Sequence, residues 1–105
     1  MMSKACEEGL WEKTNWNGSN VLHYACFRGN LRLVKSLIEC NCNKETKDND
    51  GNTPLIWASA NGHLAVVQYL ISVGANKDAK NNWGDTPLSV SEGEVRDYLI
   101  SIGAK

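Results

Sequence analysis

Residues 51–64 have the sequence GNTPLIWASANGHL, which occurs three times in the chain with decreasing fidelity. Moving back by 33 positions leads to GSNVLHYA at residues 18–25, and moving forward by 33 leads to GDTPL at residues 84–88. A period between about 20 and 50 residues is typical of proteins built from stacked structural repeats. The sequence therefore predicts a solenoid of similar units.

The repeated stretch carries start and stop signals for a helix. Thr53 is a preferred N-cap residue, and Pro54 follows at the first helical position, where a missing N–H has no consequence. Asn20 can cap the preceding copy in the same way. The turn signal Asn61-Gly62 predicts that the helix spans residues 54–61, within about a residue at each end.

A second helix is predicted after that turn, because Leu64, Val67 and Leu70 are spaced along one helical stripe. Gly74 ends this helix, and Asn41 holds the same place in the preceding copy. Asparagine is the non-glycine residue best suited to a positive φ, so both positions predict a left-handed helix end. The polar segments 44–51 and 77–84 both close on glycine and predict a turn or short hairpin that projects from the stack.

These signals divide the 105 residues into one domain of four units. Residues 1–14 are predicted to be a half-repeat that caps the N-terminal end, followed by full repeats at 15–47 and 48–80. Residues 81–105 form a shortened capping repeat, because YLISIGA at 98–104 matches YLISVGA at 69–75 at a spacing of only 29. Four residues are therefore missing, and the alignment places the gap between Ser91 and Val95, in the turn between the helices.

The pattern resembles the ankyrin repeat family. The resemblance covers residues 15–105 and departs from the family pattern at Val21, Ile56, Ser89 and Cys42. It implies an all-α solenoid of helix-turn-helix units with projecting hairpins or turns, as in a small freestanding ankyrin-repeat protein. It also implies protein binding on the concave face formed by the hairpin tips and first helices. The matching residues are Thr53, Pro54, Leu55, Ala58, Gly62, His63, Leu64, Leu70, Gly74 and Ala75.

Composition excludes several classes of function. A net charge of −1 and a pI near 6.1 lack the basic character that a nucleic-acid binder needs. No apolar run approaches the roughly 18 residues of a membrane-spanning helix. Because the first residues also lack the apolar segment of a signal peptide, we expect a cytoplasmic or nuclear protein that engages neither nucleic acid nor membrane.

The reactive side chains favour structural roles. His23 and His63 lie at positions where the family uses histidine for hydrogen bonds within and between repeats. The four cysteines (Cys6, Cys26, Cys40 and Cys42) are expected to be free thiols. Cys40-x-Cys42 lacks the second close pair that structural zinc requires, so we expect core thiols and no metal. We predict no enzymatic activity and no cofactor.

A binding surface is expected where aromatic and arginine residues stand at positions that the fold does not need. Phe27, Arg28, Trp16 and Trp83 are the strongest candidates. Trp16 and Trp83 have an equal alternative, in which each covers an end of the stack. Tyr24 and Trp57 are predicted to belong to the core. The candidate partner-binding residues are Trp16, Asn17, Ser19, Phe27, Arg28, Asn49, Asp50, Asn52, Ala60, Asn61, Asn82, Trp83 and Asp85.

Two functions follow from these observations. The first is a non-catalytic adaptor or inhibitor, monomeric in solution, that binds another protein through its concave face. The alternative is the terminal segment of a longer array, or a stack that weakly self-associates through its exposed ends.

Overall fold

The computed structural model describes residues 21–105 and arranges them as three consecutive helix pairs. The first pair is α1 (Val21–Arg28) and α2 (Leu31–Glu39), and the second is α3 (Pro54–Ala60) and α4 (Leu64–Ser72). The third is α5 (Pro87–Val90) and α6 (Gly93–Ser101). Helices α1, α3 and α5 form one layer, with α3 between its neighbours, while α2, α4 and α6 form the other. The all-α ankyrin-type solenoid is confirmed.

The helix ends follow the predicted signals. The Thr53 hydroxyl accepts the N–H of Ile56 at 3.3 Å, and the Thr86 hydroxyl accepts that of Ser89 at 3.2 Å. Asn41 has a φ of +70°, and Gly74 has a φ of +91° at the matching helix end. The predicted left-handed ends are therefore confirmed. Asn20 lies outside the described residues.

The core repeats with the sequence period. Leu22 and Leu55 are buried in the layer of first helices, and Leu37 and Leu70 in the layer of second helices. Leu99 takes the same place in α6 and is also fully buried. Each buried leucine removes enough apolar surface from water to contribute about 1.5–3 kcal/mol.

The third pair differs from the prediction in where it is shortened. α3 has 7 residues and α5 has 4, whereas the connection after the first helix falls only from three residues (61–63) to two (91–92). Three of the four missing residues therefore come from the helix and one from the connection. The predicted gap in the turn is wrong, because the last turn of the first helix is what the chain omits.

The connections between pairs are turns, and residues 21–105 include no β-strand. Over the same residues, no helix is long and apolar enough to cross a membrane. The predicted half-repeat at 1–14 lies outside this part of the chain.

Candidate partner-binding surface

The turn at residues 48–52 is organised by the carboxylate of Asp48. Its Oδ1 accepts the backbone N–H groups of Asp50 at 2.9 Å and Asn52 at 2.8 Å. Its Oδ2 accepts the side-chain amide of Asn52 at 3.2 Å and the indole N–H of Trp57 at 3.0 Å. An aspartate that bonds to the following backbone in this way imitates a turn of the main chain. Asp48 therefore fixes both the turn and the first turn of α3.

The turn at residues 81–85 repeats this construction with an amide. Asn81 Oδ1 accepts the backbone N–H groups of Trp83 and Asp85, both at 2.9 Å. The backbone N–H of Asn81 donates to the carbonyl of Asp85 at 3.0 Å, as that of Asp48 donates to Asn52 at 3.1 Å. The two turns are thus closed by equivalent bonds.

The two turns are also joined to each other, and we call residues 48–52 and 81–85 together the tip platform. The Asn81 side chain donates to Asn52 Oδ1 at 2.9 Å, and the backbone N–H of Asn82 donates to the carbonyl of Asp50 at 2.9 Å. The Asn82 side chain donates to the carbonyl of Asn49 at 3.1 Å. Gly51 permits this approach, since a Cβ there would lie 2.6 Å from Asn82 Oδ1.

The end of α1 is connected to the platform through two aromatic rings. Phe27 meets Trp57 edge to face, with ring centroids 5.7 Å apart and an interplanar angle of 85°. The Trp57 indole in turn donates to Asp48, which organises the first turn of the platform. The structure therefore joins Phe27 to the tip residues by direct contacts, although Phe27 stays 45% exposed.

Arg28 and Tyr24 form a second pair on α1. The guanidinium donates to the Tyr24 hydroxyl at 3.1 Å, and its carbon lies 5.8 Å from the ring centroid. Tyr24 is exposed, so its prediction as a core residue is wrong. Trp57 holds the same place in α3 and is half-buried because Phe27 covers it. No aromatic ring of residues 21–105 packs against Tyr24 in this way.

The predicted site residues divide by exposure. Trp16, Asn17 and Ser19 lie outside the described residues. Asp50, Asn52 and Asp85 are half-buried, and Asn52 serves mainly to bridge the two turns. Trp83 is 68% exposed, which leaves little of the ring for covering the last repeat. The exposed members are Phe27, Arg28, Asn49, Ala60, Asn61, Asn82 and Trp83.

Asp48 and Asn81 hold the two turns in place and are not among the predicted site residues. Both stand three residues before a glycine, in Asp48-x-x-Gly51 and Asn81-x-x-Gly84, and Asn15-x-x-Gly18 repeats the pattern. That recurrence is the signal from which the two turns could have been predicted.

Both histidines connect neighbouring helix pairs, as predicted. His23 Nε2 donates to the carbonyl of Asn52 at 2.8 Å, and the ring nitrogen Nε2 of His63 lies 2.8 Å from the carbonyl of Phe27. Burial lowers the pKa of His23 below its ordinary value of 6.5. Bonds to the backbone of Asn52 and Thr46 and the charge of Asp48 oppose this shift without overcoming it.

The cysteines fit the predicted core role only in part. Cys26 and Cys42 are buried thiols, and burial strongly raises the pKa of Cys26, with Cys42 adding to the shift. A thiol with a raised pKa is a poor nucleophile at neutral pH. Cys40 is disulfide-bonded, so the expectation of free thiols is wrong at that position. No group of three potential metal-ligating side chains occurs within residues 21–105.

Stacked helix pairs that are joined through their turns define a helical repeat protein. A family model described as ankyrin repeats matches residues 2–81 and 22–104. The chain therefore belongs to the ankyrin repeat family, whose members are typically non-catalytic and whose repeats generally mediate protein–protein interaction.

The chain is also similar to ankyrin repeat and SOCS box protein 3 of Bos taurus. The two are 47% identical over 38 residues, which are 36% of this chain and 7% of the relative. The chain thus spans only a small part of that protein's length, and the similarity concerns the repeat unit.

Proposed function

We propose that this chain is a non-catalytic adaptor or inhibitor that binds one partner protein through the face formed by the tip platform and the ends of the first helices. The observation that carries the proposal is the set of exposed aromatic residues on these elements. Phe27 is 45% exposed at the end of α1, and Trp83 is 68% exposed on the platform. Aromatic and arginine residues dominate the binding energy of most protein interfaces.

The supporting elements are also ordered before any partner arrives. Asp48 and Asn81 fix the two turns, and Trp57 connects them to Phe27. A surface that is already in its binding conformation loses less entropy when it associates.

Affinity capture with the full chain tests the proposal, with quantitative mass spectrometry of the retained proteins. Phe27→Ala and Arg28→Ala are expected to abolish retention of a partner while leaving the helical circular-dichroism spectrum unchanged. Two matched controls lie on the other helix layer: Ile100→Ala removes an exposed apolar side chain from α6, and Arg32→Ala removes an exposed arginine from α2. Equal retention by all four variants would assign binding to another surface.

Self-association is a second candidate, and the exposure of Tyr24 favours it. Tyr24 is 51% exposed, whereas its counterpart Trp57 is covered by an aromatic ring from the neighbouring pair. A second copy could supply that cover. Light scattering at high micromolar concentration distinguishes the two candidates, because a concentration-dependent dimer that Tyr24→Ala abolishes would support self-association, and a monomer would exclude it.

A further inference from the structure

We propose that the tip platform binds an arginine side chain from an exposed segment of the partner protein. This inference rests on the proposed function, since the platform is part of the same surface, and it adds the chemical class of the group that is recognised.

The first support is the indole of Trp83. It is the most exposed large hydrophobic side chain of residues 21–105. No aromatic or cationic group in this part of the chain lies against its ring. Its backbone N–H is nevertheless fixed by Asn81, which in turn bonds to Asn52. An apolar ring held out from a rigid turn offers a flat face to a ligand at little cost in ordering.

The second support is the charge of the platform that carries this ring. The platform contains the three aspartates Asp48, Asp50 and Asp85 and contains no lysine or arginine. The Asp48 carboxylate is satisfied by four N–H groups. The carboxylates of Asp50 and Asp85 accept no hydrogen bond and form no ion pair within residues 21–105. Two carboxylates therefore remain available for an external donor.

No lysine or arginine within residues 21–105 forms an ion pair with Asp50 or Asp85. Lys47 and Lys80 directly precede the two turns in sequence, and both also line a groove with Glu45 and Asp78. Arg28 is paired with Tyr24 on α1. The carboxylates of Asp50 and Asp85 can therefore pair with a cationic group of a partner.

Arginine matches this combination of groups. Its planar guanidinium stacks on aromatic faces and donates to carboxylates in a fixed geometry, whereas lysine presents a compact and strongly hydrated charge. An exposed indole and two carboxylates without a bonding partner on the same platform therefore favour arginine over lysine, and over any uncharged side chain.

Fluorescence anisotropy with a labelled glycine–serine peptide that carries spaced arginines tests the proposal on the full chain. The same peptide with citrulline in place of arginine keeps the shape of the side chain and removes its charge. We expect the citrulline peptide to bind about tenfold more weakly, and Trp83→Ala to weaken arginine-peptide binding by about the same factor. Asp50→Asn with Asp85→Asn is expected to weaken binding and reduce its dependence on salt.

The control for charge is Asp97→Asn, which removes an exposed carboxylate from α6. Equal loss of affinity in this variant would overturn the proposal, because binding would then depend on net charge alone. Equal binding of the arginine and citrulline peptides, or unchanged binding by Trp83→Ala, would also overturn it. A lysine peptide that binds as tightly would overturn the assignment to arginine.

Failure of this proposal is distinguishable from failure of the proposed function. If Phe27→Ala abolishes partner retention while no arginine peptide binds, the partner-binding surface stands and the arginine site is excluded. Unchanged circular dichroism of Trp83→Ala is required throughout and is expected, because Trp83 is 68% exposed.

Discussion

The turns at residues 48–52 and 81–85 are built alike and differ in what they hold. Asp48 is buried, and its carboxylate accepts four N–H groups, including the indole of Trp57. Asn81 is half-buried; its oxygen accepts two N–H groups, and its amide donates to the other turn. The first turn therefore anchors a helix and an aromatic ring, whereas the second presents Trp83 to solvent.

The two turns share their backbone hydrogen bonds but differ in how exposed their tryptophans are. Equivalent backbone bonds close both turns, so the backbone geometry of the turn is a property of the repeat unit. The tryptophans differ, because Trp57 is held by Asp48 and Phe27, whereas no aromatic ring within residues 21–105 packs against Trp83. One tryptophan is thus part of the packing between helix pairs, and the other is exposed to solvent.

Removing the anchoring carboxylate is expected to have the largest effect. Asp48→Ala leaves four donors without their acceptor and should lower the free energy of unfolding by about 3 kcal/mol, as measured by urea denaturation. Asn81→Ala should lower it by about 1 kcal/mol, because fewer and more exposed donors are affected.

Asp48→Asn is the matched control, since it makes this position resemble Asn81. It keeps an acceptor for the two backbone N–H groups and should recover more than half of the loss. Equal destabilisation by Asp48→Ala and Asn81→Ala would contradict the difference between the two turns.

Trp57→Phe isolates the bond that joins the helix to its turn. The ring can still pack against Phe27, but its donor to Asp48 is lost, so stability should fall by about 1–1.5 kcal/mol. In a double-mutant cycle with Asp48→Asn, the two losses should be less than additive, since both act on the same bond. Full additivity would show that the indole contributes by packing alone.

Acid is expected to weaken the junction that His23 makes with the same turn. Because burial lowers the pKa of folded His23 below 6.5, the unfolded chain binds more protons between the folded and unfolded values. The contribution is fully present above about pH 6.5 and is lost as the pH falls toward the folded value. The free energy of unfolding from urea denaturation should therefore be lower at mildly acidic pH than at neutral pH. His23→Gln should reduce this difference, and an unchanged pH dependence would assign it to other groups.

Trp83→Ala is expected to have the smallest effect on stability, within about 0.5 kcal/mol of the parent chain. The reason is that the exposed ring contributes little buried area, in contrast to Trp57. A loss above about 1 kcal/mol would restore the alternative in which Trp83 covers the last repeat.

The sequence was sufficient for features that depend on one residue and its near neighbours. Thr53 with Pro54 predicted a helix start, and the positive φ of Asn41 followed from its alignment with Gly74. The family resemblance supplied the roles of His23 and His63, and both make the expected bonds across helix pairs.

The sequence was not sufficient where burial depends on a residue in another pair. Tyr24 and Trp57 occupy equivalent positions, but within residues 21–105 an aromatic ring covers only Trp57, from 30 positions earlier in the chain. The predicted position of the four missing residues was wrong for a different reason. An alignment gap can slide between a helix end and the next turn, and only the hydrogen bonds of the helix decide where it belongs.

The bond between His63 and the carbonyl of Phe27 gives the backbone and the side chain of Phe27 separate roles. The backbone carbonyl of Phe27 joins two helix pairs, and this bond does not depend on which side chain the residue carries. Its ring is 45% exposed, and exchanging it would alter the contact with Trp57 but leave the bond to His63 in place. Asn49 and Asp50 are used in the same way, since Asn82 bonds to their carbonyls rather than to their side chains. Because these repeats are joined through backbone carbonyls, their surface side chains can be substituted without removing the bonds between repeats. New binding specificities can therefore arise on the same scaffold.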